Sequence, residues 1–113
     1  MTLDANEERY LPNFICVGAQ KCGTTTLYNV LDKHNEIYMP AKKELHFFDH
    51  TEMEPIEKLR DHFRHSKLEQ VRGEVTPYYM FHESGMKNIH SVVPNAKIII
   101  LLRDPIELSL IHI

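Results

Sequence analysis

The chain has 113 residues, a formal net charge of −3 and 42% hydrophobic residues, which bounds it to one domain with a modest core and excludes the basic excess of a nucleic-acid binder. No apolar run approaches the roughly 20 residues of a membrane span, and residues 1–12 are acidic and polar, unlike a signal peptide. Of the two cysteines, Cys16 lies in an apolar run and Cys22 in a loop, so free thiols in a reducing compartment are expected rather than a disulfide.

Residues 1–13 read as a polar arm, with Pro12 as a stop before strand pairing begins. Phe14, Ile15, Cys16 and Val17 then form the continuous apolar run of a parallel strand covered on both faces. A glycine-flanked polar loop follows, and from Thr24 onward Leu27, Val30 and Leu31 recur at helical spacing, with an end expected near His34 and Asn35. The loop therefore opens onto a helix N-terminus, whose unpaired N–H groups and roughly half an elementary charge suit an anion. The spacing Gly18-x-x-x-x-Gly23-Thr24-Thr25 keeps the skeleton of the nucleotide P-loop but puts Thr24 where its lysine belongs, with Lys21 inside the loop instead. A lysine opening the helix serves a triphosphate with magnesium on the next hydroxyl, whereas a mid-loop lysine beside paired threonines suits a shorter, less charged anion. The simpler alternative is a plain strand–loop–helix turn. Cys22 is a weaker candidate nucleophile, because no histidine adjacent in sequence pairs with it.

Residues 36–40 are short and apolar, a connection packed beneath the sheet. In Lys42-Lys43-Glu44-Leu45-His46-Phe47-Phe48-Asp49, charged groups alternate with aromatic bulk. Two readings are balanced here: Phe47 and Phe48 anchor a surface turn, or they hold Glu44 and His46 in a partly desolvated spot where a carboxylate becomes a stronger base. Thr51-Glu52-Met53-Glu54 with Pro55 signals a capped helix start, with Ile56, Leu59 and Phe63 on one face. His62 and His65 stand three apart without a third ligand, and the expectation is no metal. Residues 71–76 form a second strand broken by Pro77, so Thr76 to Tyr79 lie at a strand's carboxyl end, where parallel sheets bind ligands. Glu74 fits either a second acid or, preferably, a structural partner of the loop lysines. A helix over residues 84–93 places Met86, Ile89 and Val93 toward the sheet, and residues 97–102 form an apolar strand expected to be central. Arg103 follows that strand and can hold a phosphate with a forked pair of charge-assisted hydrogen bonds.

In order along the chain, the loop around Lys21, the Lys-Glu-x-His-Phe-Phe segment, Gly73-Glu74-x-Thr76-Pro77-x-Tyr79 and Arg103-Asp104-Pro105 resemble the sulfotransferases that use 3′-phosphoadenosine 5′-phosphosulfate (PAPS), both carbohydrate and heparan-type members and their bacterial relatives. The resemblance implies that Lys21, Cys22, Gly23, Thr24, Thr25 and Thr26 surround the 5′-phosphosulfate and that Arg103 binds the 3′-phosphate. It makes Glu44 the catalytic base with His46 in reserve, and Lys21 a catalytic cation. It also implies a small-molecule or carbohydrate acceptor and no metal. Heparan-type members often carry a lysine where this chain has Val75, so that lysine's contact has no counterpart here. Cytoplasm is the expected address for the chain as given, and the Golgi membrane if an anchor lies upstream. A P-loop kinase or NTPase, or a non-catalytic nucleotide-binding domain, remains the alternative.

The expected fold is α/β, a P-loop-like parallel sheet with flanking helices, truncated after about three strands near residues 13–18, 71–76 and 97–102. Relatives continue past Glu107 with Arg-Ala-Tyr-Ser, whose serine also binds the 3′-phosphate. This chain instead reads Leu108-Ser109-Leu110-Ile111-His112-Ile113, the in-frame translation of the transposase sequencing adapter CTGTCTCTTATACACATC. Residues 1–107 are thus expected to be the N-terminal part of a sulfotransferase domain, inactive by itself, and residues 108–113 a non-native tail.

Overall fold

A computed structural model describes residues 10–67 and 70–102. Arg103 and the tail over residues 108–113 lie outside the described residues, as does most of the N-terminal arm. Strand β1 (Phe14–Gly18) is buried along its whole length, because it sits between two other strands and under helices on both faces. Helix α1 (Thr24–Asp32), strand β2 (Ile37–Tyr38), helix α2 (Ile56–Asp61), strand β3 (Val71–Val75), a 3-10 turn (Tyr79–Phe81), helix α3 (Gly85–Val92) and strand β4 (Lys97–Ile100) follow.

The sheet has four strands in the order β2-β3-β1-β4, and all three pairings are parallel. Phe14 aligns with Gly73, Ile15 with Glu74 and Cys16 with Val75. Alternation along β1 sends Ile15 and Val17 into a core with Phe47, Phe48, Leu59, Phe63, Tyr79 and Ile89. Phe14 and Cys16 go to the opposite face, with Tyr28, Met39 and Val75. Both faces are covered, which is why the strand carries no polar alternation. Cys16 is buried and Cys22 half-buried, both as free thiols.

Several expectations are corrected. Residues 36–40 contain β2, which pairs with β3 through Ile37–Val71 and Tyr38–Arg72; two residues are too few to show a strand period. The apolar strand β4 lies at the edge of the described sheet, not its centre, with Ile98 and Ile100 40% and 48% exposed. Helix α1 ends at Asp32 and turns Tyr28 inward while Val30 faces solvent, because the Tyr28 hydroxyl finds the Pro40 carbonyl at 2.6 Å. Helix α2 begins after Pro55, whose extended backbone serves as the N-cap without a side-chain cap bond, so the Thr51 capping box does not form. Leu59 and Phe63 are buried as expected, and Ile89 and Val93 are buried while Met86 is exposed. No helix among the described residues is long and apolar enough to cross a membrane.

Candidate active site

The loop between β1 and α1 reverses direction through two left-handed residues, Lys21 (φ 63°) and Gly23 (φ 91°). Gly23 adopts that conformation without steric cost and serves as the helix N-cap with no side-chain bond. The first turn of α1 contains no acidic residue, and its leading amides have no partner within the helix. Its positive end faces the loop with no carboxylate in its own first turn. Thr24 is buried, Cys22 half-buried, and Lys21, Gly23, Thr25 and Thr26 are exposed. The end of β1 and the start of the loop are tied to the residue after β4 by Ala19 N–H to the Leu101 carbonyl at 3.0 Å and by Leu101 N–H to the Gly18 carbonyl at 2.8 Å. A β-carbon on Gly18 would sit 2.2 Å from Met80 Sδ and 3.3 Å from the Pro77 carbonyl oxygen, so a larger residue there would have to displace the Met80 side chain of the segment after β3.

The second segment meets the first. Lys43 Nζ donates to the Thr25 hydroxyl, which joins the segment carrying the half-buried Glu44 to the first turn of α1. Phe47 and Phe48 are buried and pack edge to face with centroids 5.0 Å apart, and Phe48 stacks similarly on Tyr79 at 5.5 Å. The two aromatics thus anchor the loop. His46, immediately before them, is left-handed (φ 53°), a conformation that costs a non-glycine residue of order 1–3 kcal/mol. Its ring is exposed and its Nδ1 lies 2.5 Å from Asp49 Oδ2. Asp49 is nearly buried, and its other oxygen is 3.7 Å from His50 Nε2, which stands 3.7 Å from Glu54. The hydrogen-bond partner His46-x-x-Asp49 was present in the motif but carried no distinguishing signal as a pair.

Beneath this loop, Glu74 is fully buried. Its Oε1 accepts the Thr76 hydroxyl at 2.9 Å and the Tyr79 hydroxyl at 2.7 Å, so its partners are these hydroxyls and not the loop lysines expected from sequence. Burial pushes its carboxyl up to about 7, against the opposing pull of the Tyr79 and Thr76 hydrogen bonds. Burial, and then the neighbouring Glu74, also raise the Tyr79 phenol. Val75, at the heparan-type lysine position, is buried in the core under α1. Lys21, Thr24 and Thr25 therefore follow the carboxyl end of β1, Lys43 reaches Thr25, and Glu44 and His46 come next on the loop pinned to Thr76 after β3. Two concavities lie elsewhere, one lined by Leu11, Asn13, Val93 and Lys97, the other by Asp32, His34, Tyr38 and Lys67. Neither touches the loop at Lys21.

Comparison with known proteins finds that the profile of the sulfotransferase domain matches residues 11–109. The chain is 41% identical over 103 residues to the membrane-associated sulfotransferase kil1 of Dictyostelium discoideum, covering 88% of this chain and 22% of that protein. It is 32% identical over 97 residues to heparan sulfate glucosamine 3-O-sulfotransferase 5 of Mus musculus, covering 84% and 28% of the two. Among solved structures, a sulfotransferase from Alicyclobacillus acidocaldarius superposes with a TM-score of 0.74 at 30% identity, covering 89% of this chain and 50% of that one. The chain thus spans about a quarter of the length of these curated relatives and half that of the solved one.

Proposed function

Because the chain belongs to the sulfotransferase domain family, we propose that the protein it comes from moves a sulfuryl group from PAPS to a hydroxyl or amine of a carbohydrate acceptor. The observation supporting this reading is the junction of two segments: a helix N-terminus beside Lys21 without a side-chain cap, and the segment that carries Glu44, joined to it by the bond between Lys43 and Thr25.

In the reaction, Glu44 takes the proton of the acceptor O–H or N–H as that atom attacks sulfur. The bond between sulfur and the bridging phosphate oxygen breaks in line. Lys21, the amides of residues 22–26 and the hydroxyls of Thr24 and Thr25 take up the charge developing on the departing phosphate. His46, oriented by Asp49, is the reserve base, and Arg103 selects the 3′-phosphorylated nucleotide. A sulfuryl group carries less charge than a phosphoryl group, so this scheme asks for no metal clamp. Carbohydrate is favoured as acceptor because named relatives act on heparan sulfate glucosamine or on carbohydrate. Membrane association, as in the name of kil1, is the corresponding proposal for location, at the Golgi if an anchor lies upstream. Residues 1–107 are read as the N-terminal part of the enzyme domain and residues 108–113 as adapter-encoded, so the 113-residue chain is expected to bind donor without turning over.

Calorimetric titration with adenosine 3′,5′-bisphosphate (PAP), ATP, and ATP plus magnesium tests the reading. Binding of PAP without metal supports it, whereas magnesium-dependent binding of ATP alone would replace it with a kinase or NTPase.

A further inference from the structure

A fully buried carboxyl that touches neither the loop at Lys21 nor any expected reactant needs a role of its own. Glu74 Oε1 receives two hydroxyl protons, from Thr76 Oγ1 at 2.9 Å and from Tyr79 Oη at 2.7 Å. Each hydroxyl then has its lone pairs left for another donor, and each finds one in the same loop. Leu45 N–H donates to Thr76 Oγ1 at 3.1 Å and Phe47 N–H donates to Tyr79 Oη at 3.0 Å. Leu45 and Phe47 flank His46, the left-handed residue whose conformation must be imposed from outside, and Leu45 directly follows Glu44.

We propose that Glu74 is a positioning residue for the proposed sulfuryl transfer: by accepting both hydroxyl protons it aims two oxygens at the amides on either side of His46 and so fixes the backbone of the loop that carries Glu44 and His46. This rests on the sulfotransferase reading given above. Thr76, Tyr79 and Glu74 are all fully buried, so water does not replace a lost arm, and hydroxyls that donate to a carboxyl become better acceptors in turn. Glu74 Oε2 has no hydrogen-bond partner among the described residues; the second oxygen adds nothing to the relay. The acceptor function at Oε1 alone is needed, and a glutamine side-chain oxygen can supply it.

The test is site-resolved amide hydrogen exchange in the 113-residue chain, with the amides of β1 as internal reference. Losing one hydrogen bond of ordinary net strength speeds exchange at its own donor about tenfold. Tyr79→Phe is expected to accelerate Phe47 and spare Leu45, and Thr76→Val to do the reverse. Glu74→Leu accelerates both, whereas Glu74→Gln restores slow exchange at both. If Glu74→Leu does not fold, the two single-arm variants and the Gln rescue decide the matter. Equal acceleration of β1 and loop amides, or Gln behaving as Leu does, would overturn the proposal. PAP titration runs alongside: Glu74→Gln should bind as the parent does. A parent chain that fails to bind PAP removes the donor reading, while the arm-specific exchange pattern still reports on the relay itself.

Discussion

Replacing Glu74 by glutamine should flatten the dependence of stability on pH. In the folded chain the carboxyl is pushed from its ordinary 4.5 up to about 7, mainly by burial. Between those values the folded state holds a proton that the unfolded state has released. Stability contributed by the neutral form is therefore fully present below 4.5 and is lost as pH rises through 7. A displacement of 2.5 pH units corresponds to about 3 kcal/mol. Glutamine carries no charge, so the variant lacks this loss; its buried, unpaired N–H group costs about 1–3 kcal/mol at every pH and shifts the curve without bending it. Urea denaturation of both chains at intervals from pH 4.5 to 8.5 gives the difference directly. Glu74→Gln should gain on the parent by about 3 kcal/mol across the range, most of it between pH 5 and 7. His46 and Asp49, the charged neighbours that act on Glu74, are present in both chains and cancel to first order. Parallel curves for parent and variant would show instead that Glu74 is already ionised in the folded state.

Lys21→Ala should weaken PAP binding by roughly ten- to a hundredfold, the range for losing one charge-assisted hydrogen bond; an unchanged dissociation constant would remove Lys21 from the site. In an enzyme extended to a complete domain, Glu44→Gln should leave PAP binding intact and abolish sulfation, and retained turnover would pass the base role to another group. Phe48→Ala, at a fully buried ring that holds the Glu44 loop to Tyr79, should cost about 3–5 kcal/mol in urea denaturation. A loss under 1 kcal/mol would mean that the loop is anchored elsewhere.

What the sequence made legible was whatever is local and periodic. The buried run at Phe14, the glycine-flanked loop and the apolar strand after Lys97 each declare themselves within a few residues, and together they specify a parallel α/β sheet. Strand β2 escaped because two residues carry no period, and its strand character comes from β3 beside it. The edge position of β4 escaped for a related reason: an apolar run reports coverage by neighbours and not their order. In α1 the helical spacing pointed to Val30, but a single long-range hydrogen bond from Tyr28 to Pro40 decides which side turns inward. The site divides the same way. Lys21, Thr24 and Glu44 lie in readable motifs, while the links that assemble them join Lys43 to Thr25 and Leu45 to Thr76 across 18 and 31 residues. Glu74 was visible as a charge in a strand, but its partners depend on the turn that brings Tyr79 back beneath it.

In the proposed reading, the amides and lysine at the β1–α1 loop hold the phosphate end of a sulfate-donating nucleotide. Backbone amide NMR of the 113-residue chain, titrated with PAP in metal-free buffer, tests it most directly. The largest shifts are expected on residues 21–26, extending to Lys43, and magnesium should leave them unchanged. Shifts centred instead on the concavity at Leu11 and Lys97, or no shifts at saturating PAP, would contradict it.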